Sequence, residues 1–423
     1  MKEEFLYYIW QYKLFTSLTL FTHDNLKVEI KNCGKRNNNS GPDFLNAQVF
    51  IDHQLWVGNI EIHVKSSDWY AHQHENDENF DAVILHVVWD HDVEVFMKNN
   101  KPLPTLVLKD YVSKQLLKNY KELMYSNLNF IPCENQINIV DEFVLKNWLE
   151  RLYFERLTNK SELILSILKE TNQDFEATLF QLLARNFGLK TNGDAFLKLA
   201  KSIDFSIIRK EQFELIKITA LLFGQAGFLD EDIENSYFKL LKTEYDYLKH
   251  KYSLTQISKS SFQFFRMRPN NFPTIRIAQF TSLLHQHKNL FSKILDLTSL
   301  TEFYTLFKID VDVFWKTHYT FTSESKKSAK QLTKSFVDLL LINTIIPLKF
   351  VYLKSIGKDF EDDILLLIQQ ISSEKNSIVD GFKNLKISCN NAMESQALLT
   401  LKNNYCTKKR CLHCAIGNNL IKE

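Results

Sequence analysis

Glycine and proline are the scarce residues of this chain. It holds 10 Gly and 7 Pro in 423 residues, too few for a loop-rich, disulfide-stapled or collagen-like protein. No uninterrupted apolar run reaches the length of a membrane-spanning helix, so none is expected and no membrane partner with it. The first residues, Met-Lys-Glu-Glu-Phe-Leu-Tyr-Tyr, carry acids and aromatics where a signal peptide carries a basic then apolar stretch. A cytoplasmic location is therefore expected. In that setting the six cysteines are expected as free thiols or metal ligands rather than disulfides. A strong charge of one sign is missing too. Formal net charge is +2, so the whole chain exerts no general pull on nucleic acid or membrane.

What is present is apolar, aromatic and unevenly charged. Apolar residues make up 45%, including 33 Phe and 16 Tyr, enough for a sizeable core. Residues 1–130 hold 13 Lys and Arg against 17 Asp and Glu, a net of −4, and the remainder carries the balancing positive charge. Leu26–Lys31 alternates polar and apolar, as a half-buried strand does. Leu45–Asp52 and Trp56–Lys65 read as two more strands. Ala82–Trp89 is apolar on both faces and reads as a central strand beside that of Glu61. Val93–Met97 reads as a hairpin arm, and Thr105–Leu108 as a last short strand. A helix is expected over residues 3–21. From about Asp141 the period changes to three and four. Phe143–Leu157, Phe175–Phe187, Phe213–Phe223, Ile275–His285 and Ser335–Ile345 read as helices. The expected class is α+β: a mixed-sheet domain over 1–130, an all-helical domain over 131–388, and a tail of helix and cysteine cluster over 389–423.

The chemistry concentrates between Gly41 and Asp92. Side chains alternate across a strand, so Glu61, His63 and Lys65 share one face while Ile60, Ile62 and Val64 share the other. Asp43, just before the preceding strand, can reach the same edge. Two carboxylates there suit Mg²⁺ or Mn²⁺, which take hard oxygen ligands and leave room for a phosphate oxygen. His63 or Lys65 then orients or deprotonates the water. An ordinary half-buried strand shows the same alternation. His72, His74 and Asp77 form a second constellation with the imidazole content that Zn²⁺ prefers, or else a polar loop that contacts substrate. Arg266 and Arg268, in Arg-Met-Arg-Pro-Asn-Asn, can pair with phosphates.

Pro42-Asp43 followed by Glu61 resembles the PD-(D/E)xK nuclease core. His63 stands where that family has lysine, and Glu3 or Glu4 matches its third, helix-borne acid. The resemblance implies a metal-dependent nuclease-like phosphodiesterase acting on nucleic acid. The departure at His63 implies instead a non-catalytic nucleic-acid-binding protein or scaffold on the same fold. A zinc hydrolase built on His72, His74 and Asp77 is the third reading.

The tail reads Cys406-x4-Cys411-x2-Cys414. Three thiols so close suit a structural metal, with Cys133 preferred over Cys389 as the fourth ligand because it ties the tail back to the sheet. Some helicase-associated PD-(D/E)xK nucleases are similar, with one early and three late cysteines on an iron–sulfur cluster. Zn²⁺ and an iron–sulfur cluster both stay open. On Gly41-Pro42-Asp43-Phe44, Glu61-Ile62-His63, Ser67-Asp68-Trp69, His72-Gln73-His74, Arg266-Met267-Arg268-Pro269 and the cysteine tail, the chain is identified as a member of an uncharacterised bacterial family, domain-of-unknown-function family 2851.

Overall fold

Alternating burial organises the first 110 residues into a sheet, described in a computed structural model over residues 1–127 and 130–423. The chain divides into two compact units. The first is Met1–Trp148 with Asn384–Ile387 and Leu401–Glu423, and the second is Leu149–Lys383 with Ser388–Thr400.

In the first unit, helix α1 (Glu3–Gln11) precedes β1 (Leu20–Phe21), β2 (Lys27–Asn32), β3 (Lys35–Arg36), β4 (Phe44–Ile51) and β5 (Gln54–Lys65). A short helix, α2 (Asp68–Ala71), leads on to β6 (Val83–Asp90) and β7 (Thr105–Val107). The sheet order is β1-β2-β4-β5-β6-β7, with β3 beside β4. Pairing is antiparallel as far as β5 and parallel from β5 through β6 to β7. The sheet is therefore mixed. β6 is flanked on both edges and is buried over most of its length, as its two-sided apolar run requires. α1 packs against β5.

Two expected elements are corrected. The first helix stops at Gln11 rather than reaching residue 21, and Lys13 turns into the left-handed region at φ 49°. Its buried stripe of Phe5, Leu6, Ile9 and Trp10 is not continued, for Leu18 is fully exposed. Val93–Met97 does not return along β6; it pairs forward with residues 101–103, through a bridge from Phe96 to Pro102 and bonds from Met97 N to Lys101 O at 2.9 Å and from Leu103 N to Val95 O at 2.8 Å. Ser66 Oγ accepts the N–H groups of Asp92 and Val93, each at 3.0 Å, so a side chain takes the donors that a ladder would have used.

The second unit is helical. Asp174 caps Phe175–Phe187 by accepting from Ala177 N, and Pro273 starts Pro273–Gln286. Lys334–Ser355 is one continuous helical segment with a π-turn at Leu341–Ile345. Pro347 lacks the N–H that would answer the Ile342 carbonyl across a π-turn. Lys160 Nζ donates to that carbonyl at 3.0 Å and to Asn343 Oδ1 at 2.9 Å. Contrary to the expectation of no spanning helix, this segment is long and apolar enough to cross a membrane by length and composition. However, 78% of it is buried within the fold, where a core helix meets the same criteria.

Candidate functional site

Backbone irregularities place the site. Gly41, at φ 95°, turns the chain into Pro42-Asp43 at the head of β4. The β4–β5 register shifts between Phe44 and Ala47, and the β5–β6 register between Asn59 and Ile60. Such bulges re-aim neighbouring side chains. Gly58 lets β6 come close, since a Cβ there would meet Ala82 O at 2.6 Å and Ile84 Cγ2 at 2.4 Å. The result is a β5 segment, Ile60–His63, buried on both faces.

Asp43 and Glu61 meet across β4 and β5. Asp43 N donates to Glu61 Oε2 at 3.2 Å, and Asp43 Oδ2 accepts from Ile62 N at 3.0 Å. Asp43 Oδ1 pairs with Arg36 Nη1 at 2.8 Å, and that guanidinium lies 3.6 Å over the Tyr7 ring. Tyr7 in turn donates to Glu3 Oε2 at 3.2 Å. Of the two helix acids, Glu3 is the one electrostatically linked to Asp43 and His72. Glu4 is exposed.

Glu61, 5% exposed, faces histidines on its other side. Its Oε1 lies 3.3 Å from His63 Nε2 and 3.4 Å from His74 Nε2. His63 Nε2 is 3.1 Å from His72 Nδ1, and His63 Nδ1 is 2.9 Å from His86 Nε2. His74 stacks on Phe80 at 3.7 Å, and Trp69 edges against both His74 and His86. Burial, then the neighbouring imidazoles, pushes His63 far below its usual pKa and His86 likewise. Both are neutral at physiological pH, the form in which imidazole binds metal. Burial pushes Glu61 up to about 7, with Asp43's charge adding and His74 opposing. Burial likewise raises Asp43 against the pull of Arg36.

The donor set fits a transition-metal cation. Ligand atoms of His63, His72 and His74 all lie within 4.8 Å of one another, and Glu61 Oε1 adds an oxygen. Three imidazole nitrogens with one carboxylate oxygen suit Zn²⁺ or Mn²⁺ better than Mg²⁺, which favours oxygen alone. Asp43's oxygens are already engaged by Arg36 and the Ile62 amide. His86, hydrogen-bonded to Nδ1 of His63, leaves Nε2 of His63 turned to the ligand cluster.

Other candidate residues lie elsewhere. Lys65 is exposed, its amide bonded to Asp68. Asp77 accepts from Asn79 N at 2.9 Å as the cap of a short 3₁₀ turn, away from the imidazoles. Arg266 and Arg268 belong to the second unit and are exposed. Sequence reasoning missed Arg36 and Tyr7; His86, expected as a buried, hydrogen-bonded histidine of the central strand, is that, and its partner is His63. The apolar setting of His86, unusual for an imidazole, is its signal in the sequence.

The cysteines form a second cluster within the first unit. Cys133, Cys406, Cys411 and Cys414 are all buried and line one cavity with Leu123, Ile131 and Tyr405. Burial, then the charges of neighbouring thiols, pushes Cys133 up to about 12. Cys411 rises to about 12 for the same reasons. The amides of Ile416 and Gly417 point at Cys414. A Cβ on Gly417 would strike Cys411 O at 2.2 Å, so glycine is required where the tail folds back on its own turn. Cys389 belongs to the other unit, and His413 is exposed. Sulfur triplets from this quartet are not among the ligand groups that fall within 4.8 Å of one another.

Fold and site together define a class, an α+β protein whose mixed sheet carries an imidazole–carboxylate cluster that is buried at Glu61 and His63, half-buried at His74 and open at His72. Residues 3–377 match the family model described as "Protein of unknown function (DUF2851)", and the chain belongs to that family. Comparison with curated proteins and with solved structures found no match.

Proposed function

We propose that this chain is a metal-dependent phosphodiesterase acting on nucleic acid. The observation that carries the reading is the meeting of Asp43 and Glu61 across β4 and β5, with three imidazole nitrogens grouped beside Glu61. The order of elements supports it: helix α1, antiparallel β2, β4 and β5, a helical connection, then β6 parallel to β5. The PD-(D/E)xK core has that order, with its acids at the head of the second strand and within the third. Here those positions are Asp43 and Glu61.

Glu61, His63, His72 and His74 would hold the metal. A divalent cation there would supply Lewis acidity toward a phosphate oxygen and acidify a water. The chain's own residues do the rest. Arg36 fixes Asp43, and the Ile62 amide fixes its second oxygen. His86 orients His63, and Trp69 packs on His86 and Phe80 on His74, while His72 stays open to solvent. Lysine's place in the motif is thus taken by an imidazole ligand, which turns an oxygen-rich site into a nitrogen-rich one. A hydrolase of zinc type is the second reading, favoured by the approach of His72 and His74 to His63.

The cysteine quartet belongs to the same proposal. Zn²⁺ with bonds of 2.3 Å would draw its four sulfurs to about 3.8 Å from one another. Zn²⁺ or an iron–sulfur cluster would each be held by one cysteine after the sheet and three in the tail.

The test is a cleavage panel of single- and double-stranded DNA and RNA with Mg²⁺, Mn²⁺ and Zn²⁺. Wild type should cut in Mn²⁺ or Zn²⁺, and Glu61→Gln and His72→Ala should each lose about 100-fold or more. Unchanged cleavage in both variants would reject the site. Binding without cleavage under every metal would make this a non-catalytic nucleic-acid-binding protein.

A further inference from the structure

The helical unit contains a pocket of about 370 Å³ whose polar lining has cations, amides and hydroxyls but no carboxylate. Arg276, on the helix Pro273–Gln286, and Lys330 both line it, and each is only 7% exposed. Arg268 stands on the exposed rim. Burial alone acts on the two buried cations. It lowers Arg276 to about 10 and Lys330 to about 8, with no carboxylate to offset it.

A hydrogen-bond chain holds them in place. Arg276 Nη2 donates to Asn271 Oδ1 at 2.6 Å and Nη1 to Gln279 Oε1 at 2.9 Å. Gln279 Nε2 donates to Lys330 O at 2.8 Å, which pins Lys330 at φ 45°, a conformation costly for any residue but glycine. The Arg276 guanidinium lies 3.8 Å over Phe336; the Lys330 ammonium lies 3.7 Å over Tyr319 and donates to His318 O and to Ser325 Oγ, the latter at 3.2 Å. Arg276 Nε, buried, has no hydrogen-bond partner. A cation taken out of water without a counter-charge is costly by several kcal/mol, and Arg276 is such a cation on the wall of this cavity, with the Lys330 charge held behind the same wall.

We propose that this pocket binds a phosphate group, with Arg268 and Arg276 as its cationic contacts, Lys330 adding positive charge from the wall behind, and Thr333 and Ser335 at its polar edge. Guanidinium groups match phosphate oxygens in bidentate fashion, and the volume accommodates a ligand the size of a mononucleotide. The phosphate comes either from a free small molecule or from the backbone of a strand. No residue of the first unit lines the pocket, so the inference is independent of the metal site.

The test is calorimetric titration of the full chain, without added divalent metal. The three probes are inorganic phosphate, a nucleoside 5′-monophosphate, and a short single-stranded oligonucleotide without terminal phosphates. At least one should bind, and Arg268→Glu and the double variant Arg276→Met/Lys330→Met should each weaken it about tenfold or more. Binding of phosphate or nucleotide assigns a free ligand, and binding of the oligonucleotide alone assigns a strand. Should the double variant fail to fold, Arg268→Glu, altered on the exposed rim, still decides. Failure of all three probes to bind wild type, or wild-type affinity in Arg268→Glu, overturns the proposal.

Discussion

Replacing Cys133 with serine tests the cysteine centre through its mechanical consequence. Three apolar side chains anchor the tail beyond the quartet: Ile416, Leu420 and Ile421, at 1%, 4% and 0% exposure. Burying each contributes about 1.5–3 kcal/mol, so the three together contribute roughly 5–9 kcal/mol. Asn119 adds a hydrogen bond to Ile421 O at 3.4 Å. A structural thiolate centre is on the order of 10 kcal/mol in small domains, so losing it removes about half of what holds the tail. If only about 3 kcal/mol of that is felt as local opening, the open population rises roughly 100-fold.

Trypsin reports this directly. Lys408, Lys409 and Arg410 lie exposed between Cys406 and Cys411, with Lys409 at φ 50° in a turn clamped on both sides. In Cys133→Ser, cleavage at these three sites should accelerate about 100-fold while metal content falls. About one equivalent of zinc, or iron with visible absorbance, is expected in the wild type. Cys389→Ser should change neither readout. Wild-type metal content and cleavage rate in Cys133→Ser would refute the shared centre.

Asp43→Ala strands the Arg36 guanidinium and the Ile62 amide in a buried place. It should therefore cost about 2–3 kcal/mol of stability, as well as activity, which denaturant unfolding measures against wild type. Lys160 is held near pKa 7 against 10.5 when unfolded, chiefly by burial. The folded state thus binds fewer protons than the unfolded state between those values, and the penalty, full below pH 7, is relieved as pH rises toward 10. With its side chain only half-buried, unfolding titrations should show stability gaining about 2 kcal/mol from pH 7 to 10. Lys160→Met should flatten that gain; an equal gain in the variant would exclude Lys160 as its source.

Periodicity carried most of the fold. The two-sided apolar run before Trp89 identified β6, alternation identified β2, β4 and β5, and the three-to-four spacing identified the helices, because burial of one face is a local property of residue order. The membership of Asp43, Glu61 and His63 in one neighbourhood was legible for the same reason: they sit on two strands joined by a tight turn. Where a strand ends was less legible. Val93–Met97 has the composition of a hairpin arm, but it pairs forward with residues 101–103 while Ser66, 27 residues before Val93, takes the Val93 N–H, and nothing local announces that.

Which of the candidate side chains meet was decided by tertiary structure alone. His72, His74 and Asp77 are equally plausible partners in sequence, yet the turn after α2 delivers His74 to Glu61 and His72 to His63 and spends Asp77 on a helix cap. Arg36 reaches Asp43, and Cys133 reaches the tail, across distances along the chain that no period measures. Sequence determined which faces must be buried, since that depends on neighbours a few residues apart. Only the closed fold determined which polar groups shared that burial, since each must find its partner wherever the chain returns.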